Sequence, residues 1–135
     1  MKRAIAAACY WLAAVTIALG AFGHGFVGVK PTRVAIEASP LDSHTVHVIW
    51  IVWYFVSGAM IAFGLLLFWA WSGLRSGPDS RSVAALIVGA QYAITGITAY
   101  LYSGGERFWL LFLAQGVLVI GSTLVLRSTA SDAAK

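Results

Sequence analysis

Asp42-Ser43-His44-Thr45-Val46-His47-Val48-Ile49-Trp50-Ile51-Val52-Trp53-Tyr54 is the stretch on which the fold turns. A polar segment carrying two of the three histidines passes there into an apolar run that reaches Trp71 without a charged residue. Asp42 or Ser43 supplies a side-chain acceptor for the free backbone N–H groups of a helix start. As a helix over about residues 44–71, the run is roughly 40 Å long at 1.5 Å per residue. That exceeds the ~30 Å hydrocarbon layer of a bilayer, so the helix tilts or protrudes.

Working outward, the same pattern recurs. Of the 135 residues, 60% are apolar and 10% are charged, and the mean hydropathy is +0.84. A soluble domain of this size is not so apolar. The nine Lys and Arg and five Asp and Glu all fall at the termini or in three short connections. Four uncharged runs lie between them, each long enough to cross a bilayer. The expected helices cover about residues 4–26, 44–71, 83–102 and 108–126 of a single membrane domain, followed by a disordered polar tail, 127–135. The fold class expected is all-α, a transmembrane up-down-up-down four-helix bundle.

The connections differ in kind. Residues 27–43 hold Lys30, Pro31, Arg33, Glu37, Pro40 and Asp42, which marks a loop outside the hydrocarbon. Ser72 to Ser82 is rich in turn residues, and Ser103-Gly104-Gly105-Glu106-Arg107 reads as a tight turn. Lys2 and Arg3 before an apolar run resemble the start of a signal peptide, but the run is long and contains Tyr10 and Trp11, so retention as the first helix is expected. Ala6-Ala7-Ala8-Cys9 has too short an apolar lead for a lipoprotein box. The lone Cys9 has no disulfide partner within the chain and is read as a packing residue.

The net charge of +4 and pI near 9.6 come without a basic cluster or basic helix face, so no nucleic-acid partner is expected. The excess fits membrane orientation instead. Lys2, Arg3, Arg75, Arg81, Arg127 and Lys135 fall on one side of the expected bundle and Lys30, Arg33 and Arg107 on the other. Positive residues favour the cytoplasmic side, so both termini are expected in the cytoplasm. Trp50, Trp53, Tyr54, Trp69, Trp71, Tyr100, Tyr102, Phe108 and Trp109 sit near the expected helix ends as interfacial anchors.

On that topology His24 closes the first helix on the outer side, and His44 and His47 open the second on the same side. His44 and His47 are three apart and share a helix face. The three are expected to form an outer-face cluster, with Asp42 and Glu37 in the joining loop and Glu106 in the other outer turn. The leading reading is structural, since histidine suits an interface and hydrogen-bonds loop carbonyls. Alternatives are a divalent transition metal held by His24, His44 and His47 with Asp42 or Glu106, a proton relay, and haem b between His24 and His47. No bound cofactor is the leading expectation.

Deeper in the bundle, Gln91 and Gln115, with Thr95 and Thr98, are polar groups inside apolar runs and should face protein. They read as interhelical glue, with a substrate or quinone contact as the alternative. His47, Tyr54 and Gly58 advance by seven and four along one stripe, expected to face the interior. Gly58/Ala62 and Gly89/Ala93 have the small-xxx-small spacing that lets helices approach, within the chain or in self-association. No charged residue lies within a span, and no phosphate loop, nucleophile motif or zincin motif occurs.

With Gly23-His24-Gly25 closing the first helix and His47 before a Trp-rich opening of the second, the chain resembles small four-helix bacterial inner-membrane proteins of unassigned function. That resemblance implies a fold and a location, and no activity. The expected function is a non-enzymatic accessory or interaction protein in contact with lipid and other membrane subunits. A metal- or haem-binding protein is the first alternative, and a small permease with a polar path past Gln91 and Gln115 the second.

Overall fold

The computed structural model describes residues 1–76 and 80–133, and among these every regular element is helical. The first helix, α1, covers Lys2–Phe22 and runs on through a π-helical turn, Gly23–Val27, into α2, Val29–Glu37. Then follow α3, Ser43–Ser76, and α4, Arg81–Tyr102. A 3₁₀ turn, Arg107–Trp109, leads into α5, Leu110–Ala133. Four of these stretches, Lys2–Val27, Ser43–Leu74, Arg81–Tyr102 and Arg107–Ala130, are long and apolar enough to cross a membrane. By length and composition the chain is a multi-pass membrane protein.

Three boundaries differ from those the sequence predicts. The connection 27–43 is not an open loop, because Val29–Glu37 is helical with exposed Lys30, Arg33 and Glu37. Pro31 sits at the third position of α2, within the first turn, where a missing N–H breaks no intrahelical bond. The C-terminal segment is helical as far as Ala133 rather than disordered from Arg127. Thr129 and Ser128 there return their hydroxyls to Val125 C=O at 3.0 Å each. Helix α3 extends to Ser76, and the turn residues Gly77, Pro78 and Asp79, like Ala134 and Lys135, lie outside the described residues.

The predicted start of α3 and the turn after α4 take the expected form. Asp42 caps α3, its carboxylate accepting the Thr45 N–H at 3.0 Å and the Thr45 hydroxyl at 2.6 Å. After Tyr102 the backbone N–H groups of Ser103 and Gly105 return to Ala99 and Tyr100 C=O, both at 2.9 Å. Gly104 and Gly105 then adopt φ of +74° and +96°, a region side-chain-bearing residues rarely enter.

In the bundle, α1 and α4 do not face each other, and each lies between α3 and α5. The interior is filled by Tyr10 and Ile17 of α1, Leu67 and Leu74 of α3, Val88 of α4, and Val119 and Leu126 of α5. Helix α1 buries Ala6, Tyr10, Ala13, Ala14, Ile17 and Ala21, a 3.6-residue stripe made mostly of alanine. Along the α1 and α3 seam, the Tyr10 hydroxyl donates to Leu67 C=O at 2.7 Å, Ala18 meets Gly64, Gly20 meets Met60, and His24 meets Ser57. Residue numbers rise on α1 as they fall on α3. The α4 and α5 seam has the same order, Gly89 against Ile120 and Gly116, Ala93 against Gly116, and Gly96 against Leu113.

These contacts correct one expectation about faces and select between the two uses open to Gly89 and Ala93. The inward line of α3 is Trp53, Ser57, Met60, Gly64 and Leu67, and His47, Tyr54 and Gly58 are exposed. Tyr54 and Gly58 follow Trp53 and Ser57 by one residue, which is about 100° around a helix. Gly89 and Ala93 do not form a free docking surface, because they are consumed against Gly116 within the chain.

Candidate functional site

The π-helical turn determines where His24 goes. Because α1 does not stop at Phe22, His24 stays on the helix and its ring lies beside Trp53 and Ser57, about three to four turns into α3. Its Nδ1 is 2.9 Å from Ser57 Oγ, and the Ser57 hydroxyl donates to Trp53 C=O at 3.0 Å. With the Ser57 hydroxyl turned to Trp53 C=O, the arrangement that satisfies all three groups has the proton on His24 Nδ1. A Cβ at Gly25 would stand 3.5 Å from Ser57 Oγ, an ordinary contact, so the pair does not depend on glycine there.

The His24 imidazole lies flat on Trp53, centroids 3.9 Å apart and planes 21° from parallel. Trp53 is held from the other side of the turn by Gly28, where an added Cβ would come within 2.9 Å of its ring. Outward along α3, Trp50 meets Trp53 edge-on at 6.4 Å, and Tyr54 stacks on Trp50 at 6.1 Å. The Arg33 guanidinium of α2 sits 5.8 Å from the Trp50 ring centre, within cation–π range. Arginine, tryptophans and histidine thus form one column at this end of the bundle. The Trp53 indole N–H is buried without a hydrogen-bond partner.

His44 and His47 do not join it. Both are exposed at the start of α3, and His47 precedes Ser57 by ten residues, about 15 Å of helix axis. Asp42 is engaged as the cap of α3. The Thr45 hydroxyl, and next the Thr45 backbone N–H, hold its carboxyl below the usual carboxylate range. Glu106 is exposed, and its backbone N–H donates to Ser103 Oγ at 3.2 Å. Among the described residues, no three His, Cys, Asp or Glu side chains come together in a way that would hold a metal ion. The outer-face cluster of three histidines is therefore replaced by a single His24–Ser57–Trp53 unit. His24 and His47, the haem pair proposed from sequence, stand at different levels along α3.

The two glutamines separate in the same way. Gln115 is buried and donates from Nε2 to Thr16 Oγ1 at 3.1 Å, while the Thr16 hydroxyl donates to Leu12 C=O at 2.8 Å. This joins α5 to α1 as interhelical glue. Gln91 instead is exposed on α4 and donates to Thr95 Oγ1 at 3.2 Å, one turn along its own helix. Gln91 and Gln115 do not bond each other, and no polar line connects them through the bundle among the described contacts.

Sequence reading missed Tyr10, Thr16, Ser57 and Tyr92 as intramembrane polar groups. The signal that identifies them is the one used for the glutamines, a hydrogen-bonding side chain deep in an uncharged run. Tyr10 and Thr16 lie in the first such run and Ser57 in the second.

No protein-family model, curated protein sequence or solved structure matches this chain.

Proposed function

We propose that the protein is a non-enzymatic accessory or interaction protein of a bacterial inner membrane, an up-down-up-down bundle with both termini cytoplasmic. Its contact surface is the outward face of α3, which receives a helix from a second membrane chain. The observation that carries this reading is the uneven cover of the spans. Only 22% of the apolar window of α3 is buried, against 33% for each of the other three spans.

Gly58 and Ala62 lie on that uncovered face, between Phe55 and Leu65. An added Cβ at Gly58 meets nothing within 4 Å, so the chain itself makes no use of the notch. In lipid, helix association depends on close backbone approach rather than on hydrophobic burial, and such a notch provides it. Orientation follows from the six Lys and Arg at the termini and second connection against three at the opposite end.

Photo-cross-linking tests the reading. A benzophenone side chain placed at Gly58 or Ala62 in native membranes should yield protein adducts, either with a second copy or with another chain. The same group at Ile94, an exposed position on α4, should yield lipid adducts alone. Lipid adducts alone at Gly58 and Ala62 would refute the interaction surface.

A further inference from the structure

A groove of about 380 Å³ opens along the α1 and α5 seam, at the other end of α1 from the His24 unit. Lys2, Ile5 and Cys9 line it from α1, and Val117, Gly121 and Val125 from α5. Intervals of three and four residues in each set follow one helix face. Gly121 keeps the floor low, since an added Cβ there meets nothing within 4 Å. Ser122 also borders the groove, but its hydroxyl donates to Leu118 C=O of its own helix and is not offered to a ligand. Among the described residues, Lys2 is the one charged side chain in the lining.

The order of these groups along the helices restricts the occupant. Lys2 opens the apolar span Lys2–Val27, and Cys9 lies seven residues further in, about 10 Å along the axis. The trough therefore fits within one leaflet, roughly half of the ~30 Å hydrocarbon layer. Deeper along the same seam, Gln115 of α5 donates to Thr16 of α1. A partner helix needs a face that runs the length of the span, whereas a single acyl chain needs only a trough of this depth. A lipid in one leaflet also keeps its headgroup at the membrane edge, which is where Lys2 stands. Lys2 is exposed and makes no ion pair among the described residues. In sequence, the termini and the second connection carry six Lys and Arg against two Asp, so the charge left to match there is negative.

We propose that the α1 to α5 groove holds one acyl chain of an anionic phospholipid, with the lipid phosphate paired to the Lys2 ammonium. The binding requires that these helices lie in lipid. It depends neither on the docking face of α3, which contributes no residue to the groove, nor on which end of the bundle is cytoplasmic.

The test titrates the full chain in detergent micelles with phosphatidylglycerol or phosphatidylcholine and counts retained lipid by native mass spectrometry. One saturable phosphatidylglycerol per chain is expected, bound about fivefold more tightly than phosphatidylcholine, the ~1 kcal/mol of one cation at an anionic headgroup. Lys2→Gln should remove that preference. Lys30→Gln, which removes a cation from α2 at the opposite end, should leave it intact. Gly121→Phe fills the groove and should abolish the saturable component. A benzophenone side chain at exposed Ile5 in native membranes should give lipid adducts. Equal binding of the two lipids, an unchanged preference in Lys2→Gln, an equal loss in Lys30→Gln, or protein adducts at Ile5 each overturns the proposal, as does unchanged binding in folded Gly121→Phe. If Gly121→Phe does not fold, the two lysine variants and the Ile5 adducts still decide it.

Discussion

At the scale of single residues, what this bundle uses inside the membrane is a handful of hydrogen bonds between neutral side chains and helix carbonyls. Tyr10 shows the pattern at its strongest. It is fully buried, its ring packs near Trp11 and Trp71, and its hydroxyl reaches Leu67 C=O. Leu67 C=O also accepts within its own helix, so removing the hydroxyl leaves no orphaned group. Tyr10→Phe should therefore cost only about 1 kcal/mol of stability, in line with intramembrane hydrogen bonds generally. Tyr10→Ala should cost about 3–5 kcal/mol, because it opens a cavity between α1 and α3. Reversible unfolding in mixed detergent micelles measures both, and equal losses would show that the hydroxyl rather than the ring holds the seam. The His24 unit rests on the same economy of groups. One serine hydroxyl engages the imidazole edge, and one tryptophan face fixes its plane.

At the scale of elements, glycine decides which helices come closest. Helices α4 and α5 meet through Gly89, Gly96 and Gly116, and a Cβ at Gly116 would run into Ala93 N and Gly89 O. Those are backbone atoms that no rotamer change can move, so the helices would have to part. Gly116→Ala should destabilise the bundle by about 1–3 kcal/mol, the usual cost of overpacking. Gly121→Ala is the internal control, because an added Cβ there meets nothing within 4 Å. It should be neutral, or stabilising by up to ~1 kcal/mol through helix propensity. The same unfolding measurement separates them, and an equal effect of both would contradict this account of the seam. Spacing alone found Gly89/Ala93 as a packing pair. It did not reveal that the partner helix is α5 of the same chain, nor that Gly58/Ala62, with the same spacing, faces outward.

At the scale of the whole molecule, the long helices project beyond what a bilayer covers. The 34 residues of α3 span about 51 Å, well over the ~30 Å of hydrocarbon. Its first turns and α2 share that projecting end, where Arg33 covers Trp50. In a Cys9→Ala background, a cysteine at exposed Ala35 on α2 should react with a membrane-impermeant maleimide added outside intact cells. Cysteines at exposed Ala4 and Ser128 should react only after the membrane is opened. Outside labelling of Ala4 and Ser128, with Ala35 reacting only after the membrane is opened, would reverse the proposed topology.

Much of this was legible from sequence. The four apolar runs, the cap at Asp42 and the glycine turn after Tyr102 all follow from local chemistry, because span length, free N–H groups and positive φ are properties of a short piece of chain. What sequence did not determine was rotation and level. A lipid tail is as apolar as a leucine, so hydropathy defines a span without saying which side of it faces protein. Tyr54 and Gly58 turned outward and Trp53 and Ser57 inward for reasons that lie in α1. Likewise His24 met Ser57 instead of His47 because the helix continued through Gly23–Val27, which leaves His24 short of the helix end, deeper than its position in the sequence implied. Gln115 found Thr16, 99 residues away, because α5 closes the bundle against α1. The number and extent of the membrane helices were thus properties of the sequence by itself. Which polar groups meet, and which face remains for lipid or a partner, was decided only when four nearly featureless cylinders packed wherever their smallest residues allowed.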